Sequence, residues 1–268
     1  MKVRLPLSAI VLGITLLFGA LLPGCSLLPD QKDETGNWAV ERIYSTGREA
    51  MQEGNYLRAI KLFETLESRF PYGPYAQQAL LQLAYSNYKL GEMAAAISAA
   101  DRFIKQYPNH QSVDYAYYLK GLANFNEDFG FLTWLAAQDL SERDPKTLRE
   151  SYIAFRDLAA KFPESRYATD ATQRMNFLVN ALASGEVHVA RYYYNRGAYI
   201  AAASRAQQAV LTYPTAPAIE EALWLMTSAY DRLAMNDLRD DAKRVLQKNF
   251  PKSPYLTGET AERWWKFW

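Results

Sequence analysis

Five times along the chain an aromatic residue stands directly before a proline: Phe70-Pro71, Tyr107-Pro108, Phe162-Pro163, Tyr213-Pro214 and Phe250-Pro251. Proline cannot continue a helix, and it biases the residue before it away from the α region. Each pair therefore predicts a helix end that leaves a ring to pack. The prolines lie 37, 55, 51 and 37 residues apart. Repetition at this interval implies stacked helical units, none of which can bury its apolar face alone.

A tetratricopeptide (TPR) unit is about 34 residues long. Two of the intervals are one such unit plus a short turn, and the other two carry insertions. Upstream of the prolines the helix-turn-helix signature recurs. Unit one has Gly54, Tyr56, Ala59 and Phe63, and unit two has Gly91, Ala96, Ala100 and Phe103. Unit three has Gly121 in its first helix, then Phe155 and Leu158 in its second. Unit four has Gly197, Tyr199, Ala202, Ala206 and Ala209. Unit five departs most, with Ala242 out of register and a shortened second helix expected. Small residues let two helices approach closely, and the rings fill the gap to the next hairpin. No period-2 strand pattern of useful length appears. The expected fold is all-α, a superhelical solenoid of five TPR-like helical hairpins.

The insertions divide the chain. Residues 38–125 form an N-terminal region of units one and two plus the first helix of unit three, and residues 126–144 an insertion loop. Residues 145–268 form a C-terminal region holding the second helix of unit three, units four and five and a Trp-rich tail. The insertion carries Phe129, Phe131 and Trp134 and is either a docking element or a cover for the solenoid's own core. After Pro163, Ala168 to Ser184 is helical in composition, with a continuation through Gly185 to Asn195, into the first helix of unit four, left open. If continuous, that helix has 28 residues and a length of roughly 42 Å, a spine between the two halves. The tail, Trp264-Trp265-Lys266-Phe267-Trp268, is a cap on unit five or an anchor to a membrane interface or partner.

The first 24 residues read as an address. Lys2 and Arg4 precede 16 uncharged residues, Leu7 to Leu22. That run reaches about 24 Å, short of the roughly 30 Å hydrocarbon core, and so fits a signal peptide. It ends in Leu22-Pro23-Gly24-Cys25, which resembles the bacterial lipobox. By that resemblance Cys25 becomes the lipidated first residue, carrying a diacylglycerol and an N-acyl chain, and residues 25–37 form a lipidated tether. Several acyl chains anchor a protein stably to a membrane. Ser26 rather than Asp follows the cysteine, so the expected location is the periplasmic face of the outer membrane.

Composition narrows the chemistry. Lys plus Arg total 30 and Asp plus Glu 29, so no charge excess favours nucleic acid. One cysteine, Cys25, excludes an intramolecular disulfide, and His110 and His188 lie 78 residues apart, His188 without a second His or Cys at metal-ligand spacing. No phosphate loop, HExxH or GxSxG pattern occurs. The expectation is a non-enzymatic protein without metal or cofactor beyond the lipid on Cys25.

The excess lies in aromatics: 19 Tyr, 12 Phe and 6 Trp. The repeat register assigns Tyr44 and Arg48 in unit one to the concave face, with Tyr85, Tyr88 and Lys89 in unit two. Unit three adds Tyr115, Tyr118 and Phe125. Tyr combines a large contact area with a hydroxyl for backbone hydrogen bonds, so this groove suits an extended peptide rich in aromatics. Arg48 or Lys89 is then placed to take a terminal carboxylate. The alternative is that several of these rings pack between helices.

Specific strings carry a family likeness: Ser68-Arg69-Phe70-Pro71-Tyr72-Gly73-Pro74-Tyr75, Asp101-Arg102-Phe103-Ile104, Arg143-Asp144-Pro145, Ala168-Thr169-Asp170-Ala171-Thr172 and Tyr192-Tyr193-Tyr194-Asn195-Arg196-Gly197-Ala198-Tyr199. With the lipobox and tether, they resemble the BamD (ComL-type) lipoproteins of the outer-membrane β-barrel assembly machinery, over almost the whole mature chain. The resemblance departs in the bulkier 126–142 stretch and the Trp-rich tail. It implies a scaffold that receives the targeting strands of unfolded outer-membrane proteins on its N-terminal hairpins and docks a BamA POTRA domain on its C-terminal ones. BamC and BamE-type lipoproteins are the implied accessory partners. Arg196 matches the family's Arg-Gly turn and is the implied carboxylate contact with BamA, the alternative being a solvated turn arginine. A different periplasmic TPR lipoprotein, for example one serving peptidoglycan machinery, shares the same anchor and fold. Alanine at Tyr44, Tyr85 and Tyr118 is expected to weaken binding of an aromatic-rich peptide; unchanged affinity in a peptide titration removes the groove.

Overall fold

A computed structural model of the protein describes residues 34–125 and 145–257. The chain divides into two units, residues 1–39 and 40–268. The described part of the first is a turn closed by the Trp38 N–H donating to the Thr35 carbonyl at 2.8 Å. The described part of the second holds eleven helices and no strand. Cys25, the Trp134 insertion and the Trp264–Trp268 tail lie outside the described residues.

Helices α1 (Val40–Gln52) and α2 (Tyr56–Arg69) form the first hairpin, and α3 (Pro74–Leu90) and α4 (Met93–Gln106) the second. The third is α5 (Val113–Phe125) with α6 (Pro145–Lys161), and the fourth α7 (Ala168–Asn195) with α8 (Tyr199–Thr212). A fifth, α9 (Ile219–Arg232) with α10 (Asn236–Asn249), is followed by the short α11 (Pro254–Thr257). Each helix packs on its neighbours in the chain, and first helices also touch across hairpins, α1 on α3, α3 on α5 and α7 on α9. This is the architecture of stacked TPR hairpins.

The aromatic–proline pairs act as the sequence suggests. The N–H groups of Phe70, Tyr107, Phe162, Tyr213 and Phe250 each donate to the carbonyl four residues back, at 2.8–2.9 Å. Proline then supplies no N–H to continue the ladder. Phe70, Tyr107, Tyr213 and Phe250 share φ between −128° and −131°. The turn inside the hairpin is also repeated. In four hairpins the first residue after the turn returns its N–H to a carbonyl five back, at 2.8–3.0 Å: Asn55 to Ala50, Glu92 to Asn87, Ala198 to Tyr193 and Met235 to Tyr230. The residue before each has positive φ. It is Gly54 (77°), Gly91 (87°) and Gly197 (77°) in three of them, but Ala234 (57°) in the fifth. An L-residue there costs about 1–2 kcal/mol.

What sets the distance between the two helices of a hairpin is the pair of side chains at their crossing. A Cβ added to Gly47 would sit 2.7 Å from Phe63 Cε1, and one added to Gly121 would sit 2.7 Å from Phe155 Cδ1 and closer still to Cε1. Both rings are fully buried. Units two and four place Ala84 with Ala100 and Ala190 with Ala206 at the matching positions, seven residues before and nine after the turn glycine, and all four are buried. Phenylalanine thus faces glycine, and alanine faces alanine.

Helix α7 runs unbroken for 28 residues. Midway, Glu186 accepts a hydrogen bond from Arg205 of α8 (3.2 Å) and lies 3.9 Å from Arg149 of α6. The first half therefore runs beside α6 and the second beside α8, so one rigid element belongs to two hairpins. The expected shortening in unit five is a correction. Helix α10 has 14 residues, as do α2, α4 and α8. Leu246 and Ala242 supply its buried face in place of the usual alanine ladder.

Alanine at Gly121 ought to improve helix propensity by about 1 kcal/mol. Because the Phe155 ring has no room to retreat, Gly121→Ala is instead expected to destabilise by about 1–2 kcal/mol net in urea unfolding. The loss should shrink when Phe155→Leu is added. Conversely, Ala234→Gly is expected to stabilise by about 0.5–1 kcal/mol.

Candidate peptide groove and docking turn

A groove with an aromatic lining, about 740 Å³, lies between units two and three. Helix α3 contributes Leu81, Gln82 and Tyr85, and the first turn of α5 contributes Asp114 and Tyr115. The third wall is the α6–α7 connection, with Glu164, Ser165, Arg166 and Tyr167. Pro163 stops α6 and forces this connection outward, which carries Tyr167 to within 5.4 Å of the Tyr115 ring.

A polar network fixes the third wall. Tyr118 stacks on Tyr167 at 4.7 Å with planes 19° apart. Its hydroxyl donates to Asp170 Oδ2 at 2.8 Å, and Arg174 Nε donates to the same oxygen at 2.6 Å. Burial pushes the Asp170 carboxyl up, but the bonds from Arg174 and Tyr118 outweigh it and leave its pKa lowered. Burial, then the bond to Asp170, pushes Tyr118 up to about 12. Ser165 Oγ donates to Asp114 Oδ2 at 2.7 Å, tying the connection to α5. Burial first, then the neighbouring Tyr167, Tyr85, Tyr118 and Tyr88, pushes the Tyr115 hydroxyl upward as well. Tyr115 and Tyr118 are therefore neutral hydroxyl donors throughout the physiological range. The Arg166 guanidinium lies 4.7 Å over the Tyr167 ring and bonds its hydroxyl.

The structure separates the residues assigned to the groove from sequence. Tyr85 and Tyr115 line it. Tyr118 and Tyr88 are partly buried behind it, packed on the core. Phe125 is core rather than surface: it is 6% exposed, with Phe177 edge-on at 5.8 Å and Arg174 over its face. The reason is that α7 runs across the end of α5 and covers it. Tyr44 belongs to a separate cluster in unit one, 5.4 Å from Tyr75. Arg48 and Lys89 are exposed and outside the lining; the groove's guanidinium is Arg166.

At the other end of the second unit, Arg196 caps α7 and is exposed ahead of Gly197. Its guanidinium stands 5.1 Å over the ring of Tyr192, which is itself exposed. Ile200 (70% exposed) follows on α8, and Met235 and Leu238 are exposed at the matching turn of unit five. The hairpins behind are tied by Arg191, whose Nε and Nη2 donate to Glu221 at 2.6 and 2.7 Å. A cation held on an aromatic face beside apolar side chains suits a protein partner with a carboxylate.

Residues 37–246 match the family model described as YfiO, outer membrane lipoprotein. The chain belongs to this family. Similar relatives of the YfiO lipoprotein family include a protein of Neisseria meningitidis serogroup A named outer membrane protein assembly factor BamD. It is 45% identical over 261 residues, 95% of this chain and 98% of the relative. A Neisseria gonorrhoeae protein of the same name is 48% identical over 237 residues, covering 87% and 89% of the two chains. One from Xylella fastidiosa strain Temecula1 is 38% identical over 257 residues, covering 96% and 86%. The chain is also similar to a solved thermophilic TPR protein of Thermus thermophilus, TTC0263, at 18% identity and TM-score 0.38, covering 83% of this chain and 97% of that one.

Reading the concave face from first helices alone misses Arg166 and Tyr167. A signal was present. In units one, three and five a tyrosine stands four residues after the proline: Tyr75, Tyr167 and Tyr255. Each meets a ring on the first helix of the hairpin that its proline closes, Tyr44 at 5.4 Å, Tyr118 at 4.7 Å and Trp224 at 5.1 Å. Tyr118→Phe removes the donor to Asp170 and is expected to cost about 0.5–1.5 kcal/mol at neutral pH. Because the Asp170 pKa is lowered, its stabilising contribution is present above the ordinary value of 3.8 and is lost as pH falls through the folded pKa. Urea unfolding of both proteins should therefore converge in acid.

Proposed function

We propose that the chain is a non-enzymatic outer membrane protein assembly factor. It is held by acyl chains on Cys25 at the periplasmic face of the outer membrane. It receives extended strands of unfolded outer-membrane proteins in the groove between units two and three, and docks to BamA through the Arg196 turn. BamC and BamE-type lipoproteins join it there. The observation that carries this reading is the three-walled tyrosine groove: Tyr85, Tyr115 and Tyr167 converge with Gln82, Gln111 and Arg166, beside the carboxylates of Asp114 and Glu164. Relatives named outer membrane protein assembly factors, 45–48% identical over most of the chain, support the same role.

Ring faces offer large contact area with two side-chain torsions to fix, while neutral hydroxyls satisfy main-chain groups. That combination tolerates many sequences provided they present an aromatic or apolar side chain at intervals. The docking turn works by a different logic. Arg196 presents a guanidinium to a carboxylate, and the apolar side chains around it exclude water from the pair.

The test is affinity purification of the lipidated protein from its own envelope in gentle detergent. BamA and accessory lipoproteins are expected among the partners. Arg196→Glu is expected to abolish BamA recovery while circular dichroism stays unchanged. Recovery of peptidoglycan enzymes without BamA contradicts the proposal.

A further inference from the structure

The tyrosine groove adjoins a second cavity, with Gln111 between them. The groove of about 740 Å³ includes Gln82 and Gln111. The adjoining one, about 540 Å³, runs from Gln111 past Gln106 to Gln77. Gln111 borders both. None of these four side-chain amides has a hydrogen-bond partner among the described residues. The second cavity is lined by amides, Tyr107, Pro108 and His110, with no Asp, Glu, Lys or Arg.

The track is held in place from below. The His110 ring lies edge-on to the buried Phe103 at 5.2 Å, and its Nδ1 accepts the Ser112 N–H at 3.1 Å. The α4–α5 turn that presents Gln111 is thereby fixed to the core. Each glutamine amide offers two donors and an acceptor carbonyl. An extended chain offers the same kinds of group in turn along each edge, with side chains alternating to either face. Side-chain amides can therefore bond any extended main chain without reading its sequence.

We propose that Gln77, Gln82, Gln106 and Gln111 form a rail that hydrogen-bonds the main chain of an extended polypeptide. Its selected side chain enters the ring cluster of Tyr85, Tyr115 and Tyr167. The proposal rests on the reading of this groove as a peptide site and adds how it recognises its ligand: backbone conformation at the rail, side-chain chemistry at the rings. Recognition by main chain explains how one groove can serve many unfolded strands.

The test uses the full chain in detergent and a fluorescein-labelled synthetic peptide of alternating polar and apolar residues ending in Phe. A set of variants replaces one backbone amide at a time by an ester, which removes a single N–H donor. With the wild-type protein, esters are expected to weaken binding about fivefold, the size of one neutral hydrogen bond, at every second position of the segment on the rail. In Gln77→Ala/Gln111→Ala the parent peptide is expected to bind several-fold more weakly, and the ester penalty at the affected positions should fall below twofold. Tyr167→Ala should weaken the parent peptide yet leave the ester penalties in place. Gln111 is exposed and Gln77 half-buried, and matching thermal melts establish that the variant is folded. Equal binding of all ester peptides, or penalties undiminished in the glutamine variant, overturns the rail and leaves the groove reading standing. Failure of the wild-type protein to bind the parent peptide overturns the groove reading and the rail together.

Discussion

Everything in this solenoid depends on how closely two helices can approach inside one hairpin. Where the second helix carries phenylalanine at the crossing position, the first supplies glycine: Gly47 under Phe63, Gly121 under Phe155. Where the second helix supplies alanine, the first does too. The hairpins thus stay thin enough to stack, and first helices bring their exposed faces side by side along one surface. A groove that spans α3, α5 and the α6–α7 connection exists because those elements are held at this spacing. Close packing also explains why the second unit is rigid at the crossings, since a buried ring against backbone has no room to shift.

The long α7 helix carries this constraint across the middle of the unit. A helix of 28 residues cannot be divided between two neighbours without coupling them. Its first turns hold Asp170 against Tyr118 and so set one wall of the groove. Its last residue leads into Arg196, at the docking turn. The tyrosine groove and the Arg196 turn are thus built on opposite ends of one element, and the distance between them is set by its length, about 42 Å.

The fold was legible because its punctuation is local. Aromatic–proline pairs and turn glycines act within five residues of themselves; composition marks residues 168–184 as helical, and the structure carries that helix unbroken to Asn195. Unit five misled because Ala242 sits out of register and Ala234 replaces a turn glycine, yet backbone hydrogen bonding imposes the same turn despite the left-handed alanine. The groove was only half legible. Tyr85 and Tyr115 follow from helix register, but Phe125 is covered by α7, a contact between residues some 50 positions apart in sequence. Arg166 and Tyr167 lie in a connection, where register gives no direction. Their place is set by stacking on Tyr118, and only the recurrence of a tyrosine four residues after the proline hints at it.

The central claim is that unfolded outer-membrane proteins occupy the groove between units two and three in the living envelope. The direct measurement is site-specific photo-crosslinking in growing cells. The reactive residue is placed at Gln82 or Arg166 in the groove, or at Leu211, which is 72% exposed on α8. Newly made β-barrel proteins should crosslink from Gln82 and Arg166 and not from Leu211. Crosslinks to such substrates from Leu211, with none from the two groove positions, would contradict the assignment.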